Sequence, residues 1–264
     1  NTPALQHFQG SLVHRGRVTD VADVGRDPVA ELSDVLHPGA PAHRAVHFAV
    51  APGKEILSQY GIKGFYINSL FRISKAFKPY LHESIELGRS FIVPEYQRRP
   101  LSLFLLWKGL LSVLLTHVDY RYLIGPVSIS NDFSVFSKSL IVEFIRNNHF
   151  DDDIARYIKP RKEFNPQFDP RFDSRIIIDN AENDISKLEK VVSDVDSGYR
   201  IPVLLKKYLE VNAKIIGFNV DPDFNNCLDG LIMLDVYKFP ADFVRALSKD
   251  MSEENVRMRF GGNQ

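Results

Sequence analysis

The sequence has 264 residues, enough to bury a sizeable core without dividing into several domains. Lys plus Arg number 33, as do Asp plus Glu, so the overall positive charge typical of nucleic-acid-binding proteins is missing. The one cysteine, Cys227, excludes an internal disulfide and fits a reducing compartment. The balanced charge predicts that the protein does not bind nucleic acid. Because the sequence shows no signal peptide, with its basic segment followed by an apolar one, we expect a cytoplasmic protein.

The first 52 residues differ in composition from the rest. They contain no Lys, Ile or Tyr but five of the eight histidines, whereas the chain after Pro52 is rich in Lys, Ile, Phe and Tyr. The alternation from Arg44 to Ala51 is compatible with a strand, although PGAPAH at 38–43 interrupts the segment. Two interpretations follow: a poorly ordered leader, or a segment that supplies the first strand of the domain.

Three histidines in this segment have a spacing that could bind zinc. His43 and His47 are four residues apart and follow His37, which would suit a metal if the segment were helical. No cysteine or acidic residue accompanies them, and Pro41 lies close by. We therefore predict loop histidines and no metal site.

The body of the chain begins near Lys54. Gly61 to Ser74 is predicted to be a strand or extended segment. Ser84 to Val93 is predicted to be a short strand, and Pro94 follows it.

A helix and a second strand come next. Pro100 stands where a proline opens a helix, and apolar residues run on to Leu115. Residues 119–130 are rich in Tyr, Ile and Val and predict a strand, after which Asn131 or Asp132 is expected to cap an amphipathic helix. The order strand, helix, strand, helix predicts a parallel pair joined by a right-handed crossover.

The apolar run 101–115 is the nearest approach to a membrane span. It is shorter than the roughly 20 residues that a span requires, and Lys108 lies in its middle. We interpret it as a buried helix rather than an interfacial anchor, because a helix that is apolar nearly all round is usually covered by protein.

The second half of the chain begins with a long charged connection. Residues 151–181 contain several prolines and are expected to lie on the surface. Ile185 to Val195 has the spacing of an amphipathic helix, and Pro202 opens another.

The chain closes with a predicted hairpin. Strands at 213–220 and 229–236 are joined by a loop rich in turn residues, and a last helix opens at Pro240. Cys227 lies in that loop with no histidine near it in sequence, which argues against covalent thiol catalysis.

The clearest chemical signal lies where the first strand leads into the helix. ELGR at 86–89 stands in the strand, and the basic run QRRP at 97–100 opens the helix. A helix N-terminus exposes unpaired N–H groups and a partial positive charge, so this junction can bind an anion such as a phosphate. A capped helix with a solvated basic turn would give the same pattern, and the residues alone leave both readings open.

Several segments together resemble a known family. They are ELGRSFIVPEY at 86–96, LWKG at 106–109, YRYLIGPVSI at 120–129, PVLLKKYL at 202–209 and LIMLDV at 231–236. Over about residues 53–250 the chain is similar to the ornithine or glycine acyl-carrier-protein N-acyltransferases of the GNAT fold, which are often labelled hemolysin-like. The related acyl-homoserine-lactone synthases carry a similar acidic-x-x-Arg strand.

The resemblance implies an α/β fold of the GNAT type. Its mixed central sheet would contain two splayed parallel strands, with helices on both faces. An acyl-phosphopantetheine arm would lie between the strands at 84–93 and 120–129. The chain would then comprise an atypical leader (1–52), a GNAT-like acyltransferase domain (53–250) and a polar tail (251–264).

The resemblance also implies the site residues. Glu86 would accept the proton of the acceptor amine directly or through water, and Arg89 would hold Glu86 or fix the acceptor carboxylate. A structural ion pair between Glu86 and Arg89 is the alternative. Backbone N–H groups near Phe91 or Val93 would donate hydrogen bonds to the oxyanion. The residues expected to bind the donor phosphate or the carrier protein are Gln97, Arg98, Arg99 and Ser102.

We therefore predict an N-acyltransferase that moves a long fatty acyl chain from acyl carrier protein to the amine of ornithine or glycine in bacterial aminolipid synthesis. Acyl-phosphopantetheine, on carrier protein or on coenzyme A, is its expected substrate, and no cofactor is expected to stay bound. Pro100 removes one N–H donor from the phosphate loop, which favours the carrier-protein donor. A peripheral contact with the inner membrane is left open.

Two other readings are kept as alternatives. The first is a non-catalytic GNAT-like binding or regulatory module of a lipid-synthesis protein, which the unusual phosphate loop and the unmatched leader motivate. The second is a synthase of the acyl-homoserine-lactone type, for which no adenosine site can be recognised in the residues.

Overall fold

The computed structural model describes residues 30–31, 46–92, 100–171 and 173–261. The strands are β1 (Ala30–Glu31), β2 (Val46–Pro52), β3 (Phe71–Ile73), β4 (Ser84–Ile92), β5 (Tyr122–Ile129), β6 (Ile158–Pro160), β7 (Lys214–Asp221) and β8 (Cys227–Asp235). Within the described residues, six of them form one mixed sheet in the order β1-β2-β4-β5-β8-β7, while β3 and β6 pair separately. The expected mixed sheet is confirmed.

Helices cover both faces of this sheet. They are α1 (Gly53–Tyr60), α2 (Ile67–Leu70), α3 (Lys78–His82), α4 (Pro100–Thr116), α5 (Val135–Asn148), α6 (Asp152–Ala155), α7 (Ser174–Ala181), α8 (Ile185–Val195), α9 (Val203–Glu210), α10 (Ala241–Leu247) and α11 (Glu253–Phe260). On the first face, α4, α5 and α7 to α10 bury the larger hydrophobic core against the sheet. On the second face, α1 to α3 and the β3–β6 pair enclose a smaller core.

Helix α4 begins at Pro100 as predicted, and its apolar residues lie in the larger core. Leu110, Leu111 and Leu114 are at most 2% exposed and belong to the same buried cluster as Ile85 and Leu123 of the sheet. Each such side chain contributes about 1.5–3 kcal/mol of burial free energy. In the described part of the chain, no helix combines the length and the apolar character that crossing a bilayer requires.

The predicted parallel pair is confirmed, but its two strands separate after a short contact. β4 and β5 pair only at Ser84–Tyr122, Ile85–Leu123 and Glu86–Ile124. From there β4 continues to Ile92 and β5 to Ile129 with no recorded pairing between them in the described residues. We call this opening, between 87–92 of β4 and 125–129 of β5, the fork.

Each strand of the fork keeps its outer neighbour. β4 remains paired with β2 as far as Ile92, and β5 remains paired with β8 as far as Ile129. Between the pairs His47–Phe91 and Ala49–Gly88, β2 advances by two residues and β4 by three, so β4 contains a one-residue bulge inside the fork. A bulge bends its strand and re-aims the side chains that follow it, which helps to hold β4 away from β5.

The end of the leader takes part in the sheet. Val46–Pro52 forms β2, antiparallel to β4, as the interpretation of a leader strand proposed. Residues 1–29 and 32–45 lie outside the described residues.

Two segments have more regular structure than expected. Gly61–Ser74, predicted to be extended, contains a 3-10 turn and α2 before the short strand β3. The predicted loop 151–181 contains α6, β6 and the start of α7. Local caps account for the two helices, because the carboxylates of Asp151 and Asp173 accept hydrogen bonds from N–H groups in the first turns of α6 and α7. β6 instead depends on a distant partner, since it pairs with β3.

The predicted cap of α5 was wrong by a few residues. Ser134 is the N-cap, and its hydroxyl accepts a hydrogen bond from the N–H of Ser137 at 3.1 Å. Asn131 and Asp132, the predicted caps, are engaged elsewhere: Asn131 accepts from Lys138, and Asp132 accepts from the hydroxyl of Ser130.

The predicted helices and hairpin of the second half are confirmed. Helices α8 and α9 lie where expected, Pro202 and Pro240 are N-caps, and β7 and β8 form an antiparallel hairpin. The turn is shorter than predicted, because Cys227, expected in the loop, is the buried first residue of β8 and pairs with Asp221. The polar tail, however, contains α11. Arg259 of that helix is 5% exposed and donates hydrogen bonds to the carbonyls of Val118 and Tyr120, which ties the tail to the start of β5.

Gly125 lies at the base of the fork, where the backbones of β4 and β5 are close together. A Cβ on Gly125 would lie 2.5 Å from the carbonyl oxygen of Leu87, whereas a Cβ on Gly88 would meet no atom within 4 Å. We expect Gly125→Ala to lower the free energy of unfolding by about 1–3 kcal/mol, because backbone must shift to admit the methyl group. Gly88→Ala is the matched control and should leave it within about 1 kcal/mol. Urea denaturation measures both, and equal effects of the two variants would contradict the close contact.

Candidate active site

Glu86 stands at the base of the fork. It pairs with Ile124 of β5 in the last recorded pair of the parallel strands and lies opposite Ala51 of β2. Alternation along β4 turns its side chain to the second face of the sheet, where it is 4% exposed. A carboxyl group at this depth needs hydrogen-bond partners.

The partners of Glu86 are backbone N–H groups at the start of α2. Oε2 accepts from the N–H of Tyr66 at 3.0 Å, and Oε1 accepts from the N–H of Ile67 at 2.8 Å. The carboxyl group therefore caps this short helix and turns the chain at 66–67. This contact gives the physical reason why Gly61–Ser74 is not extended.

Burial dominates the acid–base behaviour of Glu86. Loss of solvation raises its pKa to about 7, although the two backbone hydrogen bonds act in the opposite direction. A carboxyl group with a pKa close to neutrality can both accept and release a proton under ordinary conditions.

Tyr66 connects Glu86 to a second group of polar side chains. Its N–H binds Glu86, and its ring is 54% exposed. Partial burial and nearby acidic groups raise the pKa of its hydroxyl to about 12. Those acidic groups are Asp221, Asp229, Cys227 and Glu86.

Asp229 is the centre of this second group. It lies on β8 opposite Ser128 of β5, is 2% exposed, and accepts hydrogen bonds at Oδ1 from the Ser128 hydroxyl (2.6 Å) and the Cys227 thiol (3.5 Å). Burial raises the pKa of Asp229 to about 6, against the lowering effect of these two hydrogen bonds. Burial likewise raises the pKa of the Cys227 thiol, which keeps it protonated and unsuited to nucleophilic attack.

A buried lysine approaches the same end of the sheet from α5. Lys138 is 5% exposed, and its Nζ donates a hydrogen bond to the side-chain oxygen of Asn131 at 2.8 Å. Burial lowers the pKa of Lys138, while the charge of Asp196 acts in the opposite direction. We call Asp229, Ser128, Cys227, Lys138 and Asn131 the strand-end cluster.

The residues predicted to bind the donor are only partly described. Arg89 and Phe91 lie on β4 within the fork, beside or after its bulge, and Ser102 lies in the first turn of α4, 3% exposed. Val93, Gln97, Arg98 and Arg99 lie outside the described residues. Glu86 is therefore the predicted residue whose side chain the structure describes at the fork.

Sequence reasoning missed Tyr66, Asp229 and Lys138. An aspartate in CLDGLIMLD, the apolar sequence of β8, was a usable signal, because a strand buried on both faces seldom contains a charged side chain. Tyr66 had no comparable signal, since only the tertiary contact with Glu86 places it here.

The described residues contain no group of His, Cys, Asp and Glu side chains arranged to bind a metal ion. Among the histidines considered for zinc, His47 lies on β2, and His37 and His43 lie outside the described residues.

Comparisons with known proteins agree with this geometry. Residues 47–108, which include β2, β4 and Glu86, match the model of the acetyltransferase (GNAT) domain family. The chain is 26% identical over 183 residues to a glycine N(alpha)-acyltransferase of Phocaeicola vulgatus, a match that covers 66% of this chain and 55% of that protein. It is 25% identical over 176 residues to a glycine N(alpha)-acyltransferase of Bacteroides thetaiotaomicron, covering 63% and 51%.

This chain thus spans about half the length of the curated relatives it matches. No solved structure matches it. The resemblance noted in the sequence is confirmed: residues 47–108 match the GNAT domain family, the structure is mixed α/β, and the chain is homologous, at low identity, to glycine N-acyltransferases.

The raised pKa of Glu86 predicts a specific pH dependence of stability. Burial raises the pKa of Glu86 from its ordinary value of 4.5 to about 7 in the folded protein, so the protonated form favours folding. That stability is present below about pH 4.5 and is lost as the pH rises to 7. Relative to Glu86→Gln, the wild-type protein should lose on the order of 2–3 kcal/mol between pH 4.5 and 8.

Urea unfolding at several pH values measures this difference. Glu83→Gln replaces an exposed carboxylate just before β4 and serves as the control, because it should follow the wild-type pH dependence. Parallel curves for the wild-type protein and Glu86→Gln would show that Glu86 is not the buried group that titrates.

Proposed function

We propose that this chain, which carries a GNAT domain and is homologous to glycine N-acyltransferases, transfers an acyl group from a thioester to the amine of an amino acid. The observation that carries the proposal is the fork with Glu86 at its base. A gap between two parallel strands offers an extended thioester arm a place beside a group that can accept a proton.

The fork suits an acyl-phosphopantetheine arm because of its backbone. Strand edges 87–92 and 125–129 face each other without recorded pairing in the described residues, while their outer edges stay paired. Backbone N–H and C=O groups on such edges need hydrogen-bond partners. The amides of a pantetheine arm can provide them, in the same way that an added strand pairs with a sheet edge.

Glu86 is proposed as the acceptor of the proton. The acceptor amine is mainly protonated near neutral pH, and it must lose a proton before it can attack the thioester carbonyl. The new C–N bond then forms, the C–S bond breaks, and the sulfur leaves as a thiolate that takes up the second proton, which the nitrogen releases as it becomes an amide. Because both Glu86 oxygens already accept backbone N–H groups, we propose that the proton reaches it through a water molecule.

The remaining site residues keep their proposed roles. A backbone N–H of β4 near Phe91 or Val93 would stabilise the oxyanion. Arg89, beside the bulge, would orient Glu86 or the acceptor. The phosphate of the donor would bind at the start of α4, where helix N–H groups attract an anion. The side chains proposed to contact it are Gln97, Arg98, Arg99 and Ser102.

The proposed donor is an acyl carrier protein with a long fatty acyl chain, and coenzyme A thioester is the second choice. Pro100 at the first position of α4 provides no N–H, which weakens a phosphate site that acts alone and favours a donor also held by protein contacts. Glycine is the first acceptor to test, because both relatives are named for it, and ornithine is the second. The product would be an N-acyl amino acid of the kind that begins an aminolipid.

A direct assay tests the function. The purified chain is incubated with long-chain acyl carrier protein or acyl coenzyme A and with a panel of amino acids, and products are identified by mass spectrometry. We expect an N-acyl amino acid to accumulate. Absence of product with every donor, together with no binding of any acyl thioester, would instead support the non-catalytic module.

Replacing Glu86 should separate catalysis from folding. We expect Glu86→Gln to lower kcat/KM by about 10²–10⁴-fold, because a glutamine cannot accept the proton. In the wild-type protein kcat/KM should rise as the pH passes through about 7, where Glu86 becomes ionised. Glu83→Gln is the control and should keep both the rate and the pH profile. Unchanged turnover in folded Glu86→Gln would remove Glu86 from the mechanism.

A further inference from the structure

The layer that covers the second face of the sheet concentrates positive charge, although the chain as a whole is balanced. Residues 61–82 contain four Lys or Arg, residues 154–162 contain four more, and neither range contains Asp or Glu. The two ranges lie side by side in the fold, because β3 in the first pairs with β6 in the second. All eight side chains are exposed, so the charge lies on the surface.

The β3–β6 ribbon is the centre of this charge. Phe71 and Ile158 turn toward the smaller core and are buried, so the alternation of the strands places Arg72 and Lys159 on the outer side, where both are exposed. The register sets Arg72 directly opposite Lys159. Like charges in this position destabilise a pair of strands, and an anionic surface outside the ribbon would relieve the repulsion.

Most of these cations have no partner of opposite charge inside the protein. Arg156, Arg161 and Lys162 already contact acceptors of the chain. Among the described residues, five others form neither an ion pair nor a hydrogen bond through their side chains: Lys63, Arg72, Lys75, Lys78 and Lys159. We call these five the basic surface. Its charges are available to a partner outside the chain.

Two exposed tyrosines accompany the basic surface. Tyr60 and Tyr66 flank Lys63 in the chain and are 46% and 54% exposed. A tyrosine combines an apolar ring with a polar tip, which suits the headgroup level of a bilayer. The N–H of Tyr66 also binds Glu86, so the basic surface adjoins the candidate active site.

The type of cation favours a diffuse anionic surface over a fixed set of carboxylates on a protein. All members of the basic surface except Arg72 are lysines. A Lys ammonium is a hydrated point charge on a flexible stem and needs no exact geometry in its partner. Protein interfaces are instead depleted in Lys and enriched in Arg, whose planar group matches a carboxylate.

We propose that the basic surface binds the anionic headgroups of a phospholipid bilayer, with Tyr60 and Tyr66 at the level of the headgroups. Binding of this kind goes beyond the proposed function, because it does not depend on acyl transfer. The two are nevertheless compatible. An N-acyl amino acid with a long chain is amphipathic, and a site beside the bilayer would release it where it dissolves.

Flotation with lipid vesicles tests the proposal. The purified chain is mixed with vesicles of phosphatidylcholine alone, or of phosphatidylcholine and phosphatidylglycerol in equal amounts, and the bound fraction is measured at several salt concentrations. We expect the wild-type protein to bind the anionic vesicles and to leave them as the salt concentration rises, because salt screens the attraction. Absence of binding to the anionic vesicles at low salt would overturn the proposal.

A double variant assigns the binding to the ribbon. Arg72→Gln with Lys159→Gln should weaken vesicle binding by about 25-fold at low salt, since each cation near an anionic bilayer contributes about fivefold. Lys190→Gln with Arg257→Gln removes the same charge from exposed positions of α8 and α11 and is the matched control. Equal losses in the two double variants would show a response to net charge alone and overturn the assignment.

Thermal unfolding separates lost binding from lost structure. Because Arg72 and Lys159 repel each other, their double variant should unfold at the same or a higher temperature than the wild-type protein. If it does not fold, Lys75→Gln with Lys78→Gln replaces it and should weaken binding by the same factor. Tyr60→Ser should weaken vesicle binding without changing its salt dependence, because a tyrosine acts without charge.

The main competing partner is an acidic protein such as the acyl carrier protein. If the Arg72 and Lys159 double variant binds anionic vesicles like the wild-type protein but loses acyl transfer from carrier protein in the absence of vesicles, the basic surface holds the carrier protein and the proposal is overturned. Vesicle binding that this variant loses, in a protein without any acyl transfer, would support the bilayer contact and contradict the proposed function. Acyl transfer by a protein that binds no vesicles would do the reverse.

Discussion

The contact between the Glu86 carboxyl group and the N–H groups of Tyr66 and Ile67 underlies much of this structure. It joins the central strand β4 to the layer that covers the second face, and it turns the chain into α2. Burial beneath this layer raises the pKa of the carboxyl group to about 7, although the two hydrogen bonds themselves act to lower it. The layer that fixes the position of Glu86 is thus also the cause of its raised pKa.

The fork depends on a second constraint: β4 and β5 pair with each other over a short stretch, but each pairs with its other neighbour, β2 or β8, over a long one. β4 and β5 share three pairs, yet each stays bonded to its outer neighbour along nearly its whole length. β4 carries a one-residue bulge beyond its last pair with β5, and the carbonyl oxygen of Leu87 lies so close to Gly125 that a side chain would not fit there. Because a bulge bends its strand, it is a backbone feature that favours the separation of β4 from β5.

Much of the fold could be predicted because its strongest signals are local. The apolar helix after Pro100, the strands around Glu86 and Ile124, and the closing hairpin all follow from apolar periodicity and from proline and turn positions. Gly61–Ser74 could not be predicted this way, because its helical turn depends on a carboxyl group some twenty residues later in the chain. The prediction of the α5 cap failed for a related reason: three polar residues within four positions, Asn131, Asp132 and Ser134, can each cap a helix, and hydrogen bonds to other side chains occupy the first two.

The fork also divides the sheet into two halves, β1-β2-β4 and β5-β8-β7, which are joined by the three pairs of β4 with β5. Within each half the strands stay paired on the edges that face away from the fork. An extended ligand that lay between β4 and β5 would therefore leave every backbone hydrogen bond of the sheet in place.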